Sequence, residues 1–464
     1  MTAGTAPRPA AAVAADPVRD AIDSYHAILE SGVAADSQAV LEAQTRKREL
    51  LFGDRPLCTV LRPRFMAPAQ YRLLQRRAGA LMGAFGRAHA AAIADPAVRA
   101  QFRLTPWEEE FVLDDPGFPW SSPVSRLDAF FAGDDGLRFT EYNAETPAGP
   151  SFNDVLTEMF YALPAMREFV KRWDVRPLPA RHNVLHALLS AYEAWSGTRA
   201  SPRIAVLDWL DVPTRREFTL FQEYAERQGI PCVVVDPRNA EFRGGKLTFD
   251  GVPVDLIYKR VLISELIERG GTDHPVVRAV RERAVCMVNP FACKILHKKA
   301  SLAVLSDERN ASLFTPQERE VIAANVPWTR VVEERRTSHG ADAVDLVEFI
   351  VDHKDQLVLK PNDEYGGKGI VLGWEVDDAG WAEALRAALR DPYIVQERVA
   401  LPSEPYPSFV DGRLVVADRM LDTAPYVVYG QFIDGCLTRL STAALLNVTA
   451  GGGSSVPTLL VEKR

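Results

Sequence analysis

Two short apolar runs, Leu357-Val358-Leu359 and Ile370-Val371-Leu372, stand on either side of Lys360-Pro361-Asn362-Asp363-Glu364-Tyr365-Gly366-Gly367-Lys368-Gly369. Runs this short, parted by a proline and a glycine cluster, restrict the chain here to strand, loop and returning strand. Glycine lets a backbone approach a ligand closely, and successive N–H groups can point at phosphate oxygens. Lys360, at the end of a rigid strand, is placed to meet a phosphate as a point charge. An ordinary hairpin with a solvated lysine has the same pattern, so the choice falls to the rest of the chain.

The 464 residues suffice for two or three domains, and 47% hydrophobic with 25% charged residues is ordinary globular composition. A formal charge of −8 gives no reason to expect nucleic acid or an anionic membrane as partner, so any polyanion needs a local basic pocket. Cys58, Cys232, Cys286, Cys293 and Cys436 are scattered and odd in number, which suits a reducing compartment better than a disulfide framework. No apolar stretch is long enough to span a bilayer. Met1 to Asp16, rich in Ala, Pro and Thr, reads as a disordered tail rather than a signal peptide, and the expected location is the cytoplasm.

From about Val18 to Ala100 the periodicity is helical, interrupted by Leu57-Cys58-Thr59-Val60-Leu61 as a strand or extended segment. Arg72, Arg76 and Arg77 read as a solvated helix face. Ser125–Phe131 and Leu137–Asn143 then alternate like strands around the turn signal Gly133-Asp134-Asp135-Gly136. Period-two geometry puts Arg126 and Asp128 on one face of the first strand, and Glu141 and Asn143 on one face of the second. Three oxygen-bearing groups and an arginine converge if the two faces coincide. Such hard oxygen ligands suit Mg²⁺ carrying ATP phosphates. The same pattern also fits an exposed hairpin with an Asp128–arginine salt bridge. His182 and His186, at i and i+4 on a helix over Arg181 to Trp195, have no acidic third ligand and read as packing or surface residues.

From Pro202 the chain alternates strand and helix: Ile204–Leu207, a helix over Thr214 to Gln228, Cys232–Asp236, a pair at Lys246–Phe249 and Val254–Tyr258, and Val285–Asn289. This is the rhythm of a small parallel sheet without a G-x-G-x-x-G dinucleotide loop. A helix is expected from Cys293 to Leu305, with the adjacent Lys298 and Lys299 pointing in different directions. Tyr393–Val399 reads as a strand leading to a hinge.

Four stretches together resemble the ATP-grasp superfamily, in the circularly permuted arrangement of glutathionylspermidine synthase-like proteins. They are Arg126-Leu127-Asp128 with Glu141-Tyr142-Asn143-Ala144-Glu145-Thr146-Pro147, Lys299 in Lys298-Lys299-Ala300-Ser301, Lys360 with its glycine loop, and Val395-Gln396-Glu397-Arg398. The candidate metal segment precedes the lysines, which is the permuted order, and the resemblance spans roughly Arg126 to Gly453. It implies an α/β fold: a disordered tail over 1–17, a helical region over 18–100, and a metal-binding part over 101–175. A Rossmann-like pre-ATP-grasp subdomain over 176–290 and subdomains sandwiching ATP over 291–464 complete it. The amidase domain that members of that group can carry has no counterpart here, since Cys58 lacks an evident partner.

The resemblance also implies roles. Asp128, Glu141 and Asn143 would hold Mg²⁺. Lys299, Lys360, Gly366, Gly367, Lys368, Gly369, Gln396 and Glu397 would bind ATP. Arg126, Lys360 and Arg439 would serve catalysis, with Asn447 as a further substrate contact. The implied reaction is ATP-dependent amide formation between small-molecule carboxylate and amine substrates through an acyl phosphate. A phosphotransferase or a non-catalytic nucleotide-binding protein are the alternatives. A Walker loop is excluded because Asn362 stands where its first glycine is required and Gly369 follows Lys368. Asp363 and Glu364 are unusual beside phosphates, and repulsion that keeps an empty lid open is the expectation for them.

Overall fold

The computed structural model describes residues 16–133, 136–442 and 453–464. Asp134, Asp135, Asn447 and most of the late glycine run therefore lie outside the described residues, as does all but the end of the expected tail.

The segment that reads as a hairpin forms one. Val124–Ala132 pairs antiparallel with Gly136–Asn143, with Arg126 opposite Asn143 and Asp128 opposite Glu141. A bulge follows Asp128, so Ala129 pairs with Phe139. These strands end a large sheet whose order runs Ser403–Val410, Arg413–Leu421, Phe432–Ser441, Ala424–Val428, Val124–Ala132, Gly136–Asn143. Ser454–Lys463 adds to Phe432–Ser441 and continues alongside Arg64–Met66 and Trp173–Pro177. The long helix Pro68–Ala94 lies over this sheet, where Leu74, Leu81 and Phe85 share one core with Leu127, Phe139, Leu302 and Ile322. The helical N-terminal region is thus packed into the body of the fold. Leu57, Cys58, Val60 and Leu61 are buried without forming a strand, although Leu61 N–H bonds Pro407 O at 2.7 Å.

Two smaller sheets flank this one. Cys286–Val288, Leu256–Lys259, Ile204–Leu207 and Cys232–Val235 form a parallel sheet in that order, covered by Arg181–Ser196 and Arg215–Arg227. Lys246–Phe249 does not pair with the strand after it in this sheet. It belongs to a separate meander with Ala240–Arg243 and Val252–Pro253. The second small sheet is antiparallel, ordered Thr329–Val331, Tyr393–Glu397, Leu357–Pro361, Val371–Leu372. Val358 faces Leu372 and Leu359 faces Val371, so the glycine loop does join two paired strands. No helix among the described residues is long and apolar enough to cross a membrane.

The expected helix over Cys293 to Leu305 is two helices, Cys293–His297 and Ala300–Ser306, broken at Lys298 with ψ 133°. Asn362 makes the break: its carbonyl accepts from Lys299 N–H and its side-chain oxygen from Ala300 N–H, each at 2.9 Å. The residue just after the lysine strand thereby caps the helix that follows Lys299.

Candidate functional site

The hairpin, the broken helix and the glycine loop meet on one face of the large sheet. Arg126 clamps Asp128 through two guanidinium nitrogens at 2.6 and 2.9 Å. Asn143 Nδ2 donates to Asp128 Oδ2 at 3.1 Å, and Arg439 Nη2 reaches the same oxygen at 2.7 Å. Burial works against the Asp128 charge, but Arg126 and Arg439 prevail and hold it below the usual carboxylate range. Glu141, directly across the hairpin, meets Lys299 Nζ at 2.9 Å. There too burial opposes ionisation, and Lys299, helped by Lys360 and Arg439, brings the carboxyl to about 2.

Lys360 Nζ is held by Gln396 Oε1 at 2.7 Å and approaches Thr140 O at 3.4 Å. Burial pulls its ammonium down to about 8, and Glu141 pulls back less strongly. Arg439 is itself aligned by Asp422, which accepts its backbone N–H and its Nε, both at 2.6 Å. Four cations, Arg126, Lys299, Lys360 and Arg439, thus surround three carboxylates, Asp128, Glu141 and Asp422. The excess is positive in a chain of net charge −8.

Two cavities open from this cluster. The first, about 430 Å³, is walled by Lys360, Gly366, Gly367, Gln396, Glu397, Asp128 and Glu141, with Val358, Leu372, Trp374, Leu401 and Met420 as its apolar sides. The second, about 470 Å³, carries Arg126, Asn143, His297, Arg260, Asp208 and Glu265. Glu141, Gly366 and Arg439 line both, so the cavities meet at the centre of the cluster.

Most of the candidate residues come together here, but several do so differently from the expectation. Lys368 is 76% exposed and pairs with Glu364 at 3.1 Å, the Gly369 carbonyl accepts from the Tyr393 hydroxyl at 3.5 Å, and neither residue walls the first cavity. The side chain of Gln396 goes to Lys360, and that of Glu397 to His339 at 2.9 Å. Asn143 faces the second cavity and not the first. The loop glycines take φ of 65°, 80° and 72° at Gly366, Gly367 and Gly369, which a side chain would resist.

Asp363 does not repel a ligand. Lys294 holds it at 2.8 Å and Lys298 at 2.7 Å, and the same lysines reach Glu145 at 3.1 Å and Glu108 at 2.7 Å. Burial raises its carboxyl, but Lys294 and Lys298 outweigh that and bring it to about 2. Asp363 is therefore the anchor of the loop base. The Lys298 side chain faces this anchor and the Lys299 side chain faces Glu141. Trp107 packs on Phe111 at 5.8 Å and Trp120 on Tyr429 at 5.1 Å, and neither ring lines either of these two cavities. His182 and His186 bond the hydroxyls of Tyr224 and Tyr429, as packing residues would.

The sequence reading missed Asp422, Trp374 and the carboxylates Asp208 and Glu265. Asp422 carries a local signal, an acid between two apolar strands, whereas the other three become neighbours of the site only through the tertiary fold.

No family model matches the chain. Two curated proteins resemble it in sequence: "Putative glutamate--cysteine ligase 2-2" from Frankia casuarinae, 25% identical over 353 residues, and "Putative glutamate--cysteine ligase 2-3" from Frankia alni, 25% over 348. Each alignment takes in 71% of this chain but only 38% and 37% of the relative, so the chain spans well under half their length. Among solved structures, the apo form of a glutathione synthetase-like effector from Globodera pallida aligns with 96% of this chain and 97% of its own, at TM-score 0.57 and 11% identity. That likeness is one of fold. The mixed α/β architecture agrees with the expected α/β class.

Proposed function

We propose that the chain is an ATP-dependent ligase that joins a carboxylate to an amine, on a circularly permuted ATP-grasp fold. The observation that carries this reading is the pair of cavities sharing Glu141, Gly366 and Arg439. Activating an acid with ATP requires a nucleotide compartment and a substrate compartment that touch where the γ-phosphate lies. The first cavity offers apolar sides for a base and Lys360 beside a glycine loop for phosphates. The names of the sequence relatives point the same way.

The donor set fits a magnesium nucleotide. Mg²⁺ keeps several waters and takes one or two carboxylates with phosphate oxygens, and Asp128, Glu141 and Asn143 supply such oxygens on facing strands. When bound, the ion would offset phosphate charge, and the cations now paired with these carboxylates would be freed for phosphate oxygens. Lys299 and Lys360 neutralise charge from the loop side. Gly366 and Gly367 cover the phosphates and exclude water that would hydrolyse an acyl phosphate. Arg126 and Arg439, on the boundary with the second cavity, orient the carboxylate that receives the γ-phosphoryl group. The amine, as its free base, then attacks the acyl carbon; the C–N bond forms as the C–O bond to phosphate breaks, phosphate leaves, and the nitrogen gives up a proton to solvent. Positioning and charge supply the catalysis without a covalent enzyme intermediate.

The test is an ADP-release screen with Mg·ATP over pairs drawn from amino acids, short peptides and amines. A ligase releases ADP and phosphate only when both acid and amine are present. Phosphate retained on the product identifies a kinase instead, and nucleotide-dependent thermal stabilisation without turnover of any pair identifies a binding protein.

A further inference from the structure

The second cavity lies at a defined place in the parallel sheet. From Ile204–Leu207 the chain passes to Cys232–Val235 on one side, then returns to Leu256–Lys259 on the other. The strand order reverses between these neighbours, and ligands of open parallel sheets sit at the carboxyl ends of strands beside such a point. Asp208 and Arg260 are the residues that immediately follow the two central strands, and both line the cavity. Glu265, on the helix Ile263–Gly270 that comes next, completes this end.

The charges at this end do not balance. Arg260 is committed to Glu217 at 3.5 Å and to Pro147 O, and Lys259 to Glu145 at 3.1 Å. Asp208, only 8% exposed, accepts Trp209 N–H at 2.8 Å and has no ion pair among the described residues. Among the described residues Glu265 receives the Tyr365 hydroxyl alone, at 3.1 Å. His297 also lines the cavity, and its buried Nδ1 has no hydrogen-bond partner among the described residues. Phe52, Leu57, Val212 and Leu262 give the same cavity an apolar lining. Burial raises the Asp208 carboxyl to about 6; Arg260, which it shares with Glu217, and the Trp209 N–H pull it back without prevailing, and Glu265 adds to the rise.

We propose that this end of the cavity is an ammonium subsite, in which Asp208 and Glu265 hold the positive nitrogen of an amine whose carbon body lies on the apolar lining. The proposal rests on the ligase reading for its purpose, since it names the amine side of that reaction, but not for its test. Tyr365 belongs to the glycine loop, so its bond to Glu265 ties the cover of the nucleotide to the wall of the amine site.

The experiment is a thermal-shift titration of the full chain with n-hexylamine hydrochloride and, separately, sodium hexanoate at matched ionic strength. Both are run with and without Mg·AMPPNP. The expected result is saturable stabilisation by hexylammonium, with the apparent Kd raised at least tenfold in Asp208→Asn and at least threefold in Glu265→Gln. Hexanoate should give no shift that these substitutions remove. No saturable shift by hexylammonium in the wild type, or an unchanged midpoint in both variants, overturns the proposal. If Asp208→Asn fails to fold, an unchanged midpoint in the partly exposed Glu265→Gln variant is enough to overturn it. Absence of any AMPPNP shift in the wild type counts against the ligase reading alone, because the nucleotide-free arm still decides the subsite.

Discussion

Replacing Asp363 by Asn removes the anchor under the glycine loop while preserving its shape. The carboxylate is bound by Lys294 through both oxygens at 2.8 Å and by Lys298 at 2.7 Å, with its side chain 24% exposed. Removing one partner of a buried pair costs about 3–5 kcal/mol when the other is left uncompensated. Here Lys294 keeps Glu145 and Lys298 keeps Glu108, which places the loss at the low end. Linkage offers an independent route: a carboxyl lowered from 3.8 to about 2 corresponds to about 2 kcal/mol. Both routes converge on roughly 2–3 kcal/mol at pH 7. The sign with pH follows from the lowered value. An acid depressed in the folded state contributes stability that is complete above its unfolded value and is lost as pH falls through about 2. Urea unfolding of wild type and Asp363→Asn between pH 7 and pH 2 should therefore give two curves that differ at neutral pH and converge in acid. A variant as stable as wild type at pH 7, or a difference that stays constant down to pH 2, would refute the anchor.

Lys360→Ala and Glu141→Ala should each abolish turnover while leaving the near-UV circular dichroism of the fold intact; normal activity in both variants would sink the site assignment. Gly149→Ala should destabilise the chain by at least about 2 kcal/mol, because Gly149 has φ 106° and a Cβ there would stand 2.5 Å from the Tyr426 hydroxyl and 2.8 Å from Leu437. A melting temperature within a degree of wild type would contradict this. Asp363→Asn should also weaken Mg·ADP binding severalfold, measured calorimetrically, since the loop would lose its fixed base; an unchanged affinity would confine Asp363 to stability.

The legible parts of this chain were those governed by short-range periodicity. Alternation placed Arg126 with Asp128 and Glu141 with Asn143, and the hairpin brought the two pairs onto one face because the turn joins strands adjacent in sequence. The lysine strand and its glycine loop were readable for the same reason. The break in the lysine helix was not readable, because helical periodicity runs through Lys298 and Lys299 and the cap that interrupts it comes from Asn362.

The sequence by itself therefore determined which residues share a strand face and where the backbone must be glycine, since these depend on a repeat of two and on positive φ. The tertiary structure decided which charges meet. Asp363 looked like a repulsive acid in a loop and became an anchor through lysines more than 60 positions earlier in the chain. Asp208 and Glu265 were unremarkable acids until the reversal of strand order placed them at one cavity with the nearby cations already paired elsewhere. Ion pairing acts through space over a few ångströms, and no local pattern along the chain records that distance.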